Sequence, residues 1–380
     1  MKKLLFTLIA CCMGALSAAA QENVTIDGIK YFLNNSGTAS ISTQSESLNG
    51  DIIIPDIVNY DEKEYKVTTL ATKAFSSTNI TSIELPEGIT SLSSGCFQDC
   101  LNLSSVTLHG DVTTIQSECF SNCDKLISLD FLPNTVTSLG DHCFEYCDGL
   151  TSINLPDNLT TLGEYCFARC ENITDVTIPN GITIIPRGCF YLSGIQEVSL
   201  PETIKKLQFY SFGSCKNLKS ITLPKSIISL DASFFMCSNL AEVICQWEYL
   251  DDLSINEMTF TSIFPEAVLR VPKGTIETYK ANLVLRQFKN IEEIGDDEGG
   301  TTTGLTFTPE QRGVMVTNDG QTVTVSGLED GERVELYAVD GTLLDTGAAV
   351  AAGTVSLNAG QATGVVIVKA GQSSMKVSLR

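Results

Sequence analysis

Positive charge is scarce in this sequence: 24 Lys and Arg stand against 45 Asp and Glu, a net charge of −21 at pH 7. A chain with that balance repels polyanions, which excludes nucleic acid as a partner and disfavours an anionic membrane surface. Histidine is nearly missing, with His109 and His142 the two in the chain. His109 stands where other units carry proline and His142 precedes Cys143, so the pair gives a Cys–His dyad little to build on. The motifs G-x-S-x-G and H-E-x-x-H and the phosphate-cradling glycine loop are all lacking. Asp and Glu do not recur as a pair suited to glycosidic acid/base chemistry. These gaps argue against an enzyme and against a bound cofactor. Long apolar runs are lacking too: none approaches the roughly 20 residues that span a bilayer.

What is present begins at the N-terminus. Lys2 and Lys3 precede the apolar run 4–10, and Ala18, Ala19 and Ala20 precede Gln21. A short basic region, an apolar stretch and an A-x-A site make residues 1–20 an expected signal peptide. Leu8-Ile9-Ala10-Cys11 offers a second reading, a lipobox that would leave a lipid anchor on Cys11. Either way the chain is read as exported, to the cell surface or beyond. Removing Lys2 and Lys3 leaves the remainder more acidic still, which suits a long, solvent-exposed molecule.

A repeat dominates the middle. Phe75, Phe97, Phe120, Phe144, Phe167, Phe190, Phe212 and Phe234 recur every 22 to 24 residues. Each follows a small residue: Ala74, Cys96, Cys119, Cys143, Cys166, Cys189, Ser211 or Ser233. Each unit carries one strand-like piece L-x-x-I-x-L-P, as at 150–156 and 218–224, and a second, I-T-x-L, as at 89–92. β-Branched and aliphatic alternation favours strands, and the proline ends the first of them. The third piece, G-C-F-x-x-C as at 95–100, reads as a short helical turn with Cys, Phe and Cys inward. One such unit cannot bury its apolar face alone, so stacking is required. The fold class is therefore α/β but β-rich: a leucine-rich-repeat solenoid with two short strands and a helical turn per unit.

The consensus L-x-x-I-x-L-P…I-x-x-I…C-F-x-x-C-x-x-L resembles the BspA-like leucine-rich repeats of bacterial surface proteins. Residues 24–31, with 54–55 and 65–67, look like that family's N-terminal cap. Residues 269–275, Tyr279 and 288–291 look like its closing segment. The resemblance implies attachment, since members are known as adhesins for host matrix proteins or other bacteria. It gives a cap over 21–65, repeats over 66–245 and a C-terminal cap over 246–294.

Residues 295–304 are Gly-rich and without apolar side chains, an expected linker. Beyond them, over 305–380, short alternating strands around Asn318-Asp319-Gly320, Asp330-Gly331 and Asp340-Gly341 predict a small all-β sandwich. Residues 334–344, 364–369 and 375–380 resemble the C-terminal sorting domain of the type IX secretion system. Valine stands where that family has an aromatic, and its proline-containing opening is missing, so an immunoglobulin-like spacer is the competing reading.

Twelve of the fourteen cysteines follow the signal-like segment. Four units hold C-F-x-x-C: Cys96/Cys100, Cys119/Cys123, Cys143/Cys147 and Cys166/Cys170. Cys189, Cys215, Cys237 and Cys245 have no partner within their unit. An exported protein invites a disulfide reading. Cysteine here alternates with Ser and Ala in its columns, which favours free, buried thiols acting as small hydrophobes. Zinc would want tighter spacing and histidine, so no metal is expected.

The outward positions of the first strand form the candidate binding face. One column runs Ser82, Ser105, Ser128, Ser152, Asp175, Glu197, Ser220; its neighbour runs Glu84, Thr107, Asp130, Asn154, Thr177, Ser199, Thr222. The face is hydroxyl-rich, acidic in the middle and poor in the Trp, Tyr and Arg that dominate hot spots. A merely solvated sheet is the competing reading. Trp247 and Tyr249 offer a contact point or cap packing. The expected function is surface binding to a protein ligand, a host matrix or bacterial surface protein, by a monomer. A spacer without a ligand of its own is the alternative.

Overall fold

The computed structural model describes residues 22–263 and 265–295. In the tail it describes 315–318, 322–326, 333–338, 342–349, 354–360, 364–370 and 373–379. The segment read as a signal peptide or lipobox lies outside the described residues, as does the expected linker beyond Gly295. Two compact units result, one up to Glu293 and one from Ile294.

The first unit is a strand-rich solenoid. Its first-strand positions form parallel ladders at Asn49–Ile53, Asn79–Leu85 and Ser105–Leu108, then at Asp175–Thr177 and Glu197–Ser199. They resume through Ser220–Leu223, Glu242–Cys245, Val268–Val271 and Asn290–Glu293. The second strands are shorter and form a separate parallel face. Ser91–Leu92, Thr114–Ile115 and Ser138–Leu139 make one sheet; Ile184–Ile185, Lys206–Leu207, Ser229–Leu230 and Ser254–Ile255 make another.

The third side differs from the sequence expectation. The C-F-x-x-C segments are turns and not helix. The residue two before each Phe is left-handed, with φ from 49° to 62° at Lys73, Gly95, Glu118, His142, Tyr165, Gly188, Tyr210 and Ala232. The residue two after is left-handed as well, as at Tyr146 (61°) and Arg169 (60°). Such φ values break a right-handed helix and cost about 1–2 kcal/mol at non-glycine residues. The compensation is a third ladder. The N–H groups of Phe97, Phe120 and Phe144 donate forward to the carbonyls of Cys119, Cys143 and Cys166, each at 2.8 Å. The left-handed residues on either side do the same, as Glu118 N–H to Asp141 O and Asn122 N–H to Glu145 O, both 2.8 Å. A helix would have spent those donors within its own coil.

Nine coils stack, defined by their Phe, the last being Phe260 inside the segment read as closing cap. Neighbouring rings in this column lie 5.2–5.8 Å apart and within 13° of parallel. All nine are fully buried, and each contributes about 1.5–3 kcal/mol of apolar burial. At Gly163 the coils approach so closely that a Cβ would lie 2.2 Å from the Gly140 carbonyl carbon.

Both ends of the column are covered. The N-terminal sheet sets Glu22–Ile26, Ile29–Leu33, Thr38–Ile41, Lys63–Leu70 and Ile57–Tyr60 side by side, and its Tyr31, Leu33 and Ile41 join the core. At the other end Phe288 meets Phe260 edge-on at 5.4 Å, and the short helix Ile276–Ala281 buries Tyr279.

In the second unit Met315–Asn318, Thr322–Ser326 and Thr354–Asn358 form one antiparallel sheet. Leu343–Ala348, Arg333–Ala338, Gly364–Ala370 and Ser373–Leu379 form another. Val323, Val325, Leu357, Val334, Leu336 and Val366, drawn from both sheets, share one buried cluster.

Candidate binding faces

The register of the ladders places the two outward columns side by side. Ser82 sits opposite Ser105 and Glu84 opposite Thr107; Asp175 sits opposite Glu197 and Thr177 opposite Ser199. Ser105, Thr107, Asp130, Asn154, Asp175, Thr177, Glu197, Ser199, Ser220 and Thr222 are exposed, while Ser82, Glu84, Ser128 and Ser152 are half-buried. The columns extend beyond the residues singled out from sequence. Asp51 and Ile53 precede them, and Ile244, Arg270 and Glu292 follow the second.

The face is not continuous. Ser128 and Asp130 belong to no strand, and Ser152 and Asn154 flank a single bridge between Ile153 and Val176. This is the 24-residue unit, in which Leu132 stands between Phe131 and Pro133; Phe131 keeps the inward place that Leu108 holds one coil back and meets Phe120 edge-on at 5.4 Å. Many polar groups on the face satisfy one another. Ser82 and Thr81 hydroxyls donate to Asp51 at 2.7 Å, which holds that carboxyl below its usual range. Asn154 donates to Asp130 at 3.0 Å. Glu197 is shifted the other way: partial burial and the neighbouring Asp175 raise its pKa, with Lys219 opposing. At the C-terminal end Arg270 bridges Glu242 and Glu292.

The histidines are apart and each meets a carboxylate at 2.7 Å, His109 with Glu84 and His142 with Glu145. All twelve cysteines past the signal-like segment are buried and unbridged. Among the described residues no cluster of His, Cys, Asp and Glu is arranged to hold a metal ion. No helix among them is long and apolar enough to cross a membrane. Trp247 is a packing residue, buried with its Nε1 donating to Ile227 O at 2.9 Å, while Tyr249 is 77% exposed.

A second face escaped the strand-based reading. Left-handed positions such as His142, Tyr146, Tyr165 and Arg169 bring their side chains to the turn edge, and further aromatics gather there in the later coils. His142 stacks on Tyr165 at 5.2 Å, and Tyr210 stacks on Tyr191 at 5.9 Å and on Phe235 at 5.2 Å. The Arg169 guanidinium lies 5.2 Å from the Tyr146 ring centre and that of Arg187 5.5 Å from the Phe209 ring. A signal existed in the sequence: His or Tyr recurs two places before Phe at 142, 165 and 210.

A family model for BspA-type leucine-rich-repeat regions matches residues 62–174 and 160–270, in six copies. Among solved structures, a leucine-rich-repeat protein from Bacteroides ovatus is similar in fold, with a TM-score of 0.50 at 20% identity. That match covers 71% of this chain and 76% of the other. A leucine-rich cell surface protein from Faecalibacterium prausnitzii aligns at 20% identity with a TM-score of 0.31, covering 75% of this chain and 99% of that one. No curated relative matches in sequence.

Proposed function

The chain belongs to the BspA-type leucine-rich-repeat family, and on that premise we propose that it is an exported, surface-displayed module that binds a protein ligand and mediates adhesion. The observation that carries this reading is where the chemistry lies. Phe and Cys columns fill the interior, while hydroxyl, carboxylate and aromatic side chains are displayed in register on the outer faces. Such a scaffold holds a preformed surface against a partner with little ordering cost. The fourteen outward residues of the first strand are the proposed contact face, presented between the cap over 21–65 and the closing segment.

Export rests on the signal-like residues 1–20 or on lipidation at Cys11. The tail over 305–380 is read as a small β-sandwich that serves as a type IX sorting domain. A spacer role is favoured by one observation: groups such as Asn154 and Asp130 pair with each other on the face. The test is made on cells. Deleting residues 305–380 should leave the repeats folded but trapped in the periplasm, and adhesion to mucin and matrix proteins should fall. Equal surface exposure of truncated and full-length chains rules out the sorting role. Unchanged adhesion in cells lacking the whole chain rules out the adhesive one.

A further inference from the structure

Aromatic contacts run without a break along the turn edge from the fourth coil to the eighth. His142 stacks on Tyr165 at 5.2 Å, and the Tyr165 hydroxyl accepts from Arg187 Nε at 3.1 Å. The Arg187 guanidinium lies 5.5 Å from the Phe209 ring centre, and Phe209 meets Tyr210 at 3.9 Å. Tyr210 is in turn held between Tyr191 at 5.9 Å and Phe235 at 5.2 Å. Gly213 leaves that ring its place, since a Cβ there would fall 2.9 Å from the Tyr210 Cβ. The rings of this run are half-buried, and beside Phe235 stands Met236, 53% exposed. Charge is divided unevenly along it. In the fourth and fifth coils Asp141, Asp148, Glu164 and Glu171 are exposed on the edge, and Glu145 holds His142 at 2.7 Å. The one Lys or Arg among them is Arg169, seated on the Tyr146 ring at 5.2 Å. In the sixth to eighth coils the edge carries Arg187, Lys216 and Asp231, the last accepting from Asn256 at 3.0 Å. One half of the run is therefore acidic and the other apolar.

We infer that this edge docks a short, extended segment of a partner protein, basic at one end and apolar at the other; the inference rests on the binding function proposed above. Charge selects the basic end. Lysine or arginine side chains over coils four and five would be paired by the carboxylates there in charge-assisted bonds. The Tyr146 ring, 44% exposed, already seats one guanidinium, which is the same chemistry supplied from within the chain. An acidic segment would instead meet those carboxylates and a chain of net charge −21. Arg169 and Arg187 do not reverse the balance, because the carboxylates of the edge outnumber them and each lies on a ring. The apolar end would rest on Tyr191, Tyr210, Phe235 and Met236, a tyrosine-rich patch of the kind that carries binding energy. Size selects a segment over a folded surface. Five coils at about 4.8 Å span about 19 Å, the length of about six extended residues. A strip one turn wide offers a few hundred Å², short of the roughly 800 Å² per partner of a stable association between folded proteins. A second copy of this chain, carrying the same charge, is a poor occupant.

The test uses the full chain and a fluorescein-labelled hexapeptide, three lysines followed by leucine, phenylalanine and leucine, read by anisotropy. Wild type should bind it saturably and should not bind the counterpart with three glutamates. D148N/E164Q/E171Q should weaken binding about tenfold or more, and M236S several-fold. E248Q/D251N/D252N, which removes three exposed carboxylates from the loop between the eighth and ninth coils, should leave it unchanged. If the first triple variant melts lower, D148N/E171Q is read instead, with a several-fold loss expected. No binding by wild type, or equal loss in the two triple variants, overturns the strip. Sedimentation showing self-association that M236S abolishes overturns the proposed occupant. Adhesion kept by D148N/E164Q/E171Q cells removes the strip alone, whereas adhesion independent of the whole chain removes the binding function beneath it.

Discussion

The Cys170 Sγ lies 3.0 Å from the carbonyl oxygen of Phe144, one coil back, an acceptor that also takes the Cys147 N–H at 3.3 Å. The same bond joins Cys100 to Phe75, Cys123 to Phe97, Cys147 to Phe120, Cys215 to Phe190 and Cys237 to Phe212, at 3.0–3.1 Å. In the first coil the Thr78 hydroxyl donates to Phe75 O at 2.7 Å. An intercoil hydrogen bond thus accounts for the cysteines of this column without a bridge, while in the ninth coil the buried Ile263 fills the same place.

From this follows the behaviour of the thiols. Burial pushes Cys147 and Cys215 up to about 12, and Cys119, Cys143 and Cys189 are raised as well by burial and by neighbouring thiols. With almost no thiolate at neutral pH they should resist alkylation in the folded chain. After denaturation without reductant, most of the twelve should label, as read by mass spectrometry, and reductant should barely move the melting point. Mostly oxidised cysteines, with a large drop in melting temperature on reduction, would make the columns a disulfide framework.

The Phe column gives a stability prediction. Phe144→Ala removes a ring stacked between Phe120 and Phe167 at 5.3 and 5.4 Å. Cavity formation there should cost about 3–5 kcal/mol in urea denaturation. Hydrogen exchange should rise in the adjoining coils too, because stability is built from nearest-neighbour interfaces. A loss below about 1 kcal/mol contradicts the shared core.

Much of this core was legible in the sequence because inward positions repeat strictly. Phe and its small predecessor mark the first eight coils, and Ser82 with Ser105, Glu84 with Thr107, Asp175 with Glu197 and Thr177 with Ser199 pair as the columns have them. The turn edge was not legible as such. Its left-handed positions hold Lys73, Glu118, His142 and Tyr165, types that do not advertise positive φ as glycine does. An intercoil ladder, invisible within one unit, holds them there. The ninth coil escaped because residues 246–253 lengthen the spacing to Phe260 and Thr259 replaces the small Cys or Ser. The break at Ser128 and Asp130 falls in the one 24-residue unit, where Leu132 is an extra residue before Pro133.

Among the described residues one buried hydroxyl stands without a partner. Ser211 is fully buried with its hydroxyl unpaired, whereas Ser233, one coil on, donates to Leu207 O at 2.9 Å. An unpaired buried hydroxyl is destabilising, so Ser211→Ala should raise stability by about 1 kcal/mol in denaturant titration. Destabilisation of similar size would show that the hydroxyl has a partner.

The acidic centre of the first-strand face titrates. The folded chain raises the pKa of Glu197 above its ordinary 4.5, first through burial and then through Asp175. A raised acid favours the folded state below its unfolded pKa, and that advantage is lost as pH rises through the folded value. Glu197→Gln should therefore melt higher than wild type at neutral pH, with the gap closing as pH falls below that ordinary value. A gap that widens in acid would reverse the assignment.

Protein binding by the outer surface of this solenoid is tested by saturation binding of the purified full chain to immobilised matrix proteins, mucins and bacterial surface extracts. Saturable binding to at least one protein ligand is expected, lost when Phe144→Ala loosens the coils. A chain that melts cooperatively yet binds none of them saturably is a spacer and not an adhesin.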